Sequence, residues 1–567
     1  MRIKCYNYPN SNEYWVMKMS FVLNTNNQLS IADRYNNLTD RERQFLDNSW
    51  AKPFSNFVFP AINEQRFAVL YSSNSATRPN TPVNVIVGAL IIKEILHLTD
   101  EEVLTGLMFD VRMQYALHTT SNEEQPLSDR TLSRFRERLH QHELATGDDL
   151  LKEEILSLGQ EIAKLMKLSP NIRRMDSMMI ASACKDMTRL EVVYVTVANL
   201  VNAVHRIGED ELLVGLEQYL KDDNKNRVIY HNRTEERATK IQNILEDGAL
   251  LIKRMGDAGV ELPEYTLAQR MLFDQCTTNE AGEIEAKSNQ DISPSSLQNP
   301  SDPDATYRKK GEEGYIGYSA NLVETVDMEV GGSAITYYSF ENNRHSDSAF
   351  GKEAIEHIAA TEEIPAGGII MLGDGAFASK ANSELAESKN ITLVTTASTG
   401  PQPHMIFADF EIDEQEHQVT SCPAGHEPIR QSMNEVTGTH RVVMDKACCE
   451  NCPNRGACNA RMQVNSAVVM VSENKVRRAR VSNNAAVTPE EYANYRNIRN
   501  GVESLPSLMR RICDVDNMPV YGLMRSKLFF GLKVAAINVK KLCAFLKKKS
   551  GNVLQSIACP QVKCAQI

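Results

Sequence analysis

The sequence predicts an α/β protein: a mixed sheet with flanking helices, preceded by an all-α N-terminal domain and interrupted by two insertions. Helical periodicity fills the chain up to about residue 150, and strand patterns alternate with helices from about residue 172 to residue 398. A long helical segment and a cysteine-rich segment interrupt that alternation. The 567 residues, 42% of them hydrophobic, are enough for several hydrophobic cores.

Composition favours a cytoplasmic protein. No apolar run approaches the roughly 18 residues of a membrane span, and the first residues, MRIKCYNYPN, lack the apolar core of a signal peptide. Five of the twelve cysteines crowd between Cys422 and Cys458, which predicts a metal site in a reducing compartment better than it predicts disulfides.

Charge is distributed unevenly along the chain. The net charge of −11 argues against a polyanionic partner only as an average. From Lys475 to Lys549 there are 16 lysines and arginines against 5 acidic residues. This C-terminal basic region leaves room for a phosphate-binding surface.

Three helices are predicted before residue 150. In NTPVNVIVGALIIKEILHL, Thr81 is placed as the N-cap and Pro82 as the first helical residue. In TDEEVLTGLMFDV, Thr99 and Glu102 have the spacing of a capping box.

The third helix, SDRTLSRFRERLHQHEL, has an apolar face and a basic stripe. Such a helix after two packed helices is typical of DNA-binding proteins of helix-turn-helix type, although a small helical bundle with a solvated face fits the pattern equally well. The apolar face comprises Leu132, Phe135 and Leu139, and the stripe comprises Arg130, Arg134 and Arg138.

The sheet is predicted from stretches that follow a helix around residues 150–168. NIRRMDSMMIAS is a strand with Asp176 in its middle, and a charged, helical segment from Arg189 to about Phe273 and a polar loop follow it. YIGYSANLVETVD and AITYYSFENN are consecutive strands, followed by a helix, a buried strand that ends at Asp374, a short helix and the strand ITLVTTAS. The predicted order is β, β, β, α, β, α, β.

That order matches the RNase H-like fold, whose site takes one acid from the first strand, one from the end of the fourth and one from a later helix. Asp176, Asp374 and Glu503 occupy those places. Carboxylates gathered closely stay ionised only beside cations, and two Mg²⁺ or Mn²⁺ ions suit them as ligands. If the stretch around Glu503 is helical, Arg499 and Arg510 share its face and hold DNA phosphates. A solvated helix with an i,i+4 ion pair, worth only about 0.2–0.5 kcal/mol, is the alternative.

The chain resembles bacterial insertion-sequence transposases of the DDE class, from about residue 40 onwards. The matching stretches are RMDSMMIAS, SDPDA with GYIGYSANLVETVD, NRHSD, LGDGAF, YRNIRNGVESLPSLMRR and FFGLKVAAINVKKL. The signature of that family around its glutamate runs Tyr, Arg, Glu, Lys. Here Tyr495 stands one residue further from Arg499, and Arg510 replaces the lysine. Gly501 and Pro506 predict that the helix kinks or begins near Glu503.

The cysteine cluster predicts a structural zinc site. The spacing nominates Cys422, Cys449, Cys452 and Cys458, with Cys448 as a rival ligand. Reduced cysteines without a metal and an iron–sulfur cluster are the alternatives.

Three further polar residues lie in stretches that match the family. His345 either faces the active site or caps the helix that follows, and the second reading is favoured slightly. Asp302 and Asp304 are expected to form a turn rather than to bind a metal.

The resulting hypothesis is a DNA transposase that cleaves the ends of its element and joins them to target DNA, acting as a homodimer or higher oligomer on double-stranded DNA. A metal-dependent nuclease or resolvase of the same fold, and a domesticated DNA-binding protein without activity, are the alternatives. The predicted domains are 1–150 (helical, DNA-binding), 165–188 (first strand of the catalytic domain), 189–312 (helical insertion and polar loop), 313–400 (catalytic domain continued), 401–480 (cysteine-bearing insert) and 481–567 (C-terminal basic helices with Glu503).

Overall fold

The structure is a computed structural model that describes most of the chain. The N-terminal stretch on which the cytoplasmic expectation rests lies outside the described residues, as do the last residues of the predicted C-terminal domain. The described ranges are 20–24, 33–72, 74, 76–122, 124–230, 236–279, 283–310, 313–395, 403–413, 418–434, 439–482 and 489–550.

The N-terminal region is helical, as predicted, and Thr99 and Glu102 form the expected capping box. Pro82, not Thr81, is the N-cap of the first predicted helix. A carboxylate from elsewhere replaces the predicted cap, because Glu64 accepts hydrogen bonds from the backbone N–H groups of Val83 (3.0 Å) and of the next residue (3.3 Å). The helices of this region are Asp40–Asp47, Val83–Leu96, Asp100–Phe109, Val111–Ala116, Thr131–Thr146 and Leu150–Leu165, with short helical turns between Ala51 and Leu70.

A mixed sheet forms the centre of the molecule, and its elements follow the predicted order. The five strands are β1 (Ile172–Ala181), β2 (Glu313–Asp327), β3 (Gly332–Asn342), β4 (Ile369–Gly373) and β5 (Ile391–Thr395). They lie side by side in the order β3-β2-β1-β4-β5, with β3-β2-β1 antiparallel and β1-β4-β5 parallel. A further strand, Thr306–Lys310, pairs with the start of β2. The helices Asp347–Thr361 and Lys380–Ser388 flank β4 along the chain.

The N-terminal helices, the sheet and the C-terminal helix (Leu523–Ser550) share one hydrophobic core. Lysines of the C-terminal helix enter this core only with a carboxylate partner, since a buried unpaired ammonium is costly. Lys533 lies 2.9 Å from Glu94, Lys541 contacts Glu324, and Lys527 contacts Glu143. Part of the C-terminal basic excess therefore neutralises interior acids and is not available to an external phosphate.

The helical insertion after β1 has its own hydrophobic core. The predicted long helical segment consists of Arg189–Arg206, Asp222–Ile229, Glu236–Ala258 and Pro263–Gln275. A small hairpin, Cys276–Thr278 with Ile284–Ala286, follows them and was not predicted.

Asp302 and Asp304 end the polar loop, and the prediction that they only form a turn is incomplete. Asp302 is fully buried and accepts hydrogen bonds from Ser182 Oγ (2.5 Å), the Tyr318 hydroxyl and the Gly522 N–H (3.0 Å). Asp304 accepts from the Leu523 N–H (2.9 Å). The two carboxylates thus anchor the start of the C-terminal helix.

The cysteine-bearing insert also has a core of its own, built around Phe407, Phe410 and valines of a four-stranded sheet. The strands of that sheet lie in the order Arg430–Asn434, Thr439–Asp445, Ser466–Ser472, Arg461–Met462. The pair Glu411–Asp413 and Gln418–Ser421 and the helices Lys446–Glu450 and Glu473–Ser482 complete the insert. In none of the described ranges is a helix both long and apolar enough to cross a membrane.

Candidate functional site: an acidic centre and a cysteine pocket

Asp374 follows the last residue of β4, the parallel neighbour of the strand that carries Asp176. The parallel register of β1 and β4 pairs Ile172 with Ile370 and Arg174 with Leu372. Extended by two residues on each chain segment, beyond the last paired residues, this register leads to Asp176 and Asp374. The Asp374 carboxylate accepts a hydrogen bond from the Ala376 N–H (2.8 Å) and caps a short helical turn after β4.

Glu503 lies at a break between two helices, as its flanking residues predict. The helix Pro489–Asn500 ends in a turn, Gly501–Glu503, and a second helix runs from Ser504 to Cys513. Pro506 sits in the first turn of the second helix, where a missing N–H costs nothing. The break therefore places Glu503 between helices and does not require a strained proline.

Arg499 connects Glu503 to the first strand of the sheet. Its Nη1 lies 2.7 Å from Glu503 Oε1, and its Nη2 lies 3.7 Å from Asp176 Oδ1. The side chains of Arg499 and Asp176 are only 12% and 15% exposed, whereas that of Glu503 is 60% exposed. Two of the three predicted acids thus share one cation of the same chain, and the predicted phosphate contact of Arg499 would require that cation to change partners.

Arg510 contacts a different part of β1. It donates from Nη2 to the Met179 carbonyl (2.7 Å) and from Nε to Asp516 (3.0 Å), while Asp516 also accepts from the Ala181 N–H (3.2 Å). Arg510 is 46% exposed. Arg510 therefore contacts the strand that carries Asp176 and, unlike Arg499, keeps much of its surface in solvent.

The basic stripe of the helix Thr131–Thr146 likewise has exposed arginines and one arginine that packs against the protein. Leu132, Phe135 and Leu139 are buried, as predicted. Arg130 and Arg134 are exposed, but Arg138 stacks over the ring of Tyr71, with 4.9 Å between the guanidinium carbon and the ring centroid. Only the first two arginines of the stripe are well placed to contact an external ligand.

The five cysteines of the insert line one pocket. A tight turn carries the first of them, since the Gly425 N–H donates to the Cys422 carbonyl (2.7 Å) and Gly425 has a positive φ of 79°. The turn from Cys449 to Cys452 closes with an N···O distance of 3.4 Å. The cysteines are Cys422, Cys448, Cys449, Cys452 and Cys458, and none of them forms a disulfide.

Burial, together with the neighbouring cysteines, raises the pKa of the Cys458 thiol to about 11. The pKa of Cys449 is raised for the same two reasons. In the described ranges, no three His, Cys, Asp or Glu side chains are already arranged as a ligand set for a metal ion. The cysteines therefore share a pocket without yet forming a coordination sphere.

His345 does not cap the helix that follows it. Ser346 is the N-cap of Asp347–Thr361, because its hydroxyl accepts from the Ala349 N–H (3.0 Å). Instead, Nε2 of His345 lies 2.7 Å from Oε1 of Glu353, and the imidazole ring packs on Phe350. Burial lowers the pKa of His345, but Glu353 more than offsets this and the pKa is raised.

Two buried charges near the acidic centre were missed from the sequence: Arg174 on β1 and Glu324 on β2. They face each other in the antiparallel register, and Arg174 Nε donates to Glu324 Oε2 (2.6 Å). A signal was present, because charged residues inside predicted strands are buried when the strand is central to a sheet, and buried charges come in pairs.

Two family models match the chain. Residues 40–138 match the Transposase domain (DUF772), and residues 421–543 match the Transposase DDE domain. No curated protein and no solved structure matches the chain. The two matched segments, one at each end of the chain, confirm the resemblance to insertion-sequence transposases of the DDE class and support a role in transposition.

Proposed function

We propose that the chain cleaves DNA at the ends of its own element and transfers the freed ends into target DNA, using Asp176, Asp374 and Glu503 as one acidic centre. The observation that carries this proposal is the position of Arg499, which lies 2.7 Å from Glu503 and 3.7 Å from Asp176. Asp374 follows β4, the parallel neighbour of the strand that carries Asp176. In the described ranges the three carboxylates do not already form a ligand set for a metal ion. The sheet order β3-β2-β1-β4-β5, with one antiparallel and one parallel half, supports an RNase H-like catalytic domain.

The donor set fits hard divalent cations. Carboxylate oxygens are the ligands that Mg²⁺ and Mn²⁺ prefer, and Arg499 already serves as a positive partner of two of these carboxylates. Two bound Mg²⁺ or Mn²⁺ ions would activate the attacking oxygen and stabilise the leaving oxygen. Asp176, Asp374 and Glu503 would hold them.

The proposed reaction consists of two balanced phosphoryl transfers. In the first, a water oxygen bonds to the phosphorus at the element end, the bond to O3′ breaks, and the proton lost by the water balances the one gained by the 3′-oxygen. In the second, the oxygen of the freed 3′-OH bonds to the phosphorus of a target phosphodiester, the bond to the target O3′ breaks, and the leaving oxygen gains the proton that the attacking hydroxyl loses. The protein orients these groups and forms no covalent bond to DNA.

The arginines are proposed to divide the contacts with double-stranded DNA. Arg130 and Arg134, with Arg138 behind them, would select the element ends, and Arg510 and Arg499 would hold phosphates near the scissile bond. The predicted domain boundaries remain a proposal, and described residues of the first predicted domain contribute to the same core as the sheet. A dimer or larger oligomer would bring two ends together.

We also propose that Cys422, Cys449, Cys452 and Cys458 bind one structural zinc ion. These cysteines line one pocket, the insert has a core of its own, and a thiolate set of four suits tetrahedral zinc. Zinc binding would draw the side chains together and displace their protons. Cys448 lines the same pocket and is the rival for one position.

A plasmid assay tests the proposed reaction. Purified protein, Mg²⁺ and a plasmid carrying the sequences that flank the gene should yield element ends joined through their 3′-oxygens to a second plasmid, as sequencing of the products would show. Cleavage without joining would favour a nuclease or resolvase. Binding without cleavage would favour a domesticated DNA-binding protein.

A further inference from the structure

Arg174 lies on the same strand as Asp176 and, because it is two residues earlier, on the same face. Its guanidinium is largely buried and has two partners. Nε donates to Glu324 Oε2 (2.6 Å), and Nη1 donates to the Ile498 carbonyl (3.0 Å). Burial lowers the pKa of Arg174 to about 10, so it stays charged at neutral pH. The proposed chemistry leaves this arginine without a role.

The Ile498 carbonyl belongs to the last turn of the helix Pro489–Asn500, where carbonyl groups lose their regular helical partners. Arg174 therefore acts on the C-terminal end of the helix that leads into Glu503. The Ile498 side chain packs in a small cluster with Val326 and Leu372 of the sheet. Apolar and polar contacts together fix this helix end on the sheet.

Gly501, the next residue after that helix, lies directly against Arg174. A Cβ added at Gly501 would overlap Nη1 of Arg174 and lie 3.1 Å from its Cζ. The φ of Gly501 is not in the left-handed region, so the backbone conformation alone does not require glycine. The close approach of the turn to the guanidinium is what requires it.

Arg174 cannot shift easily to make room. Glu324 is fully buried, stands opposite Arg174 in the β1–β2 register, and also contacts Lys541 of the C-terminal helix. Moving the guanidinium away would weaken the pairing of a buried carboxylate, which is costly. The turn that carries Glu503 is thus held against a fixed group.

We infer that Arg174 and Gly501 are positioning residues that set the distance between Glu503 and Asp176. Arg174 fixes the helix end through the Ile498 carbonyl, and Gly501 allows the turn to approach the strand closely. This inference rests on the proposed function, because it matters for activity only if the acids act together. Neither residue contacts the reacting atoms in this account.

The test compares Gly501→Ala with Gly367→Ala, a glycine whose added Cβ would meet no atom within 4 Å. We expect Gly501→Ala to cleave pre-bound duplex, made from the sequences that flank the gene, about 100-fold more slowly in a single turnover. Its affinity for Mn²⁺, measured by electron paramagnetic resonance without DNA, should fall about fivefold, since Glu503 is displaced. Duplex affinity and cooperative unfolding should match those of Gly367→Ala and the wild type.

A second variant keeps the test decisive if Gly501→Ala does not fold. Arg174→Lys retains a cation for Glu324 but lacks the second donor that reaches Ile498, so its cleavage should also slow. In the double variant Arg174→Lys/Gly501→Ala, the shorter lysine relieves the overlap with the added Cβ. Cleavage by this variant should be about tenfold faster than by Gly501→Ala alone. Additive losses in the double variant would overturn the inference.

The outcome separates the inference from the function on which it rests. If Asp176→Asn weakens Mn²⁺ binding and cleavage while Gly501→Ala changes neither, the positioning role is wrong and the acidic centre stands. If Asp176→Asn changes neither, the proposed function itself fails.

Discussion

The acidic centre and the cysteine pocket are both groups of metal-type ligands, but they balance their charge differently. Arg499 contacts two of the acids, so the centre holds carboxylates beside a cation from its own chain. In the cysteine pocket, burial raises the pKa of Cys458 to about 11, and the thiol stays protonated at neutral pH. A metal ion would compete with an arginine at the first site and with protons at the second.

This difference separates the roles proposed for the two sites. A centre whose counter-ion can be exchanged suits metal ions that arrive with DNA and leave after reaction. A pocket of thiols inside a separate small core suits a metal ion that is bound once, during folding.

The largest expected effect is at the acidic centre. Asp176→Asn and Asp374→Asn each remove a proposed metal ligand without adding bulk, so Mg²⁺-dependent cleavage should fall on the order of 1,000-fold or more. Affinity for the element-end duplex, measured by fluorescence anisotropy, should stay within about twofold, as each change removes only one negative charge. Wild-type cleavage by either variant would show that the centre is misplaced.

The next effect concerns the cysteine pocket. Protein prepared without chelator should contain about one zinc per chain by elemental analysis, and Cys449→Ser/Cys452→Ser should lose it. The matched control is Cys184→Ser/Cys276→Ser, which changes two cysteines outside the pocket. Absence of metal from the wild-type chain would contradict the proposed zinc site, and with it the comparison of two metal sites.

A smaller effect is expected when the internal counter-ion is removed. Arg499→Gln should tighten Mn²⁺ binding without DNA about fivefold, because the ion no longer competes with a guanidinium that contacts Asp176 and Glu503. Arg496→Gln, an exposed position on the same helix, should leave this affinity unchanged. Equal affinities for the two variants would mean that Arg499 does not balance the acids.

The sequence predicted the fold well where local patterns decide it. Apolar strand-type and helix-type patterns placed the five strands and their helices, because segments that pack into a core need apolar side chains at regular or consecutive positions. It failed for contacts between distant segments. Thr81 was the predicted N-cap, but the carboxylate of Glu64, from another part of the chain, accepts the hydrogen bond of the first helical N–H group.

The candidate site shows the same limit. Asp176, Asp374 and Glu503 could be nominated from their order along the chain, and the break at Gly501 could be read from its residues. The i,i+4 pair of Arg499 with Glu503 could also be read from their spacing. The contact of Arg499 with Asp176 and the partners of Arg174 could not, because they depend on how a distant helix is placed on the sheet. Side-chain direction is decided by tertiary packing and not by spacing.

The last effects concern DNA recognition. Arg130→Ala/Arg134→Ala should reduce preference for element-end over scrambled duplex by about 1–3 kcal/mol for each lost base contact. Arg510→Ala should weaken binding to both duplexes equally and lower the salt dependence by about one phosphate contact. Titrations of both variants at two salt concentrations separate these results. Unchanged specificity in the first variant would place end recognition elsewhere, for example in the cysteine-bearing insert.

The most direct test of the central claim is a change of metal preference at the acidic centre. Asp176→Cys and Asp374→Cys replace an oxygen ligand with a thiolate, which binds Mg²⁺ poorly and accepts softer ions better. Single-turnover cleavage should be lost in Mg²⁺ and partly regained in Mn²⁺ for both variants, whereas the wild type uses either ion. Equal loss in both metals, in both variants, would contradict the proposal that these side chains hold the catalytic ions.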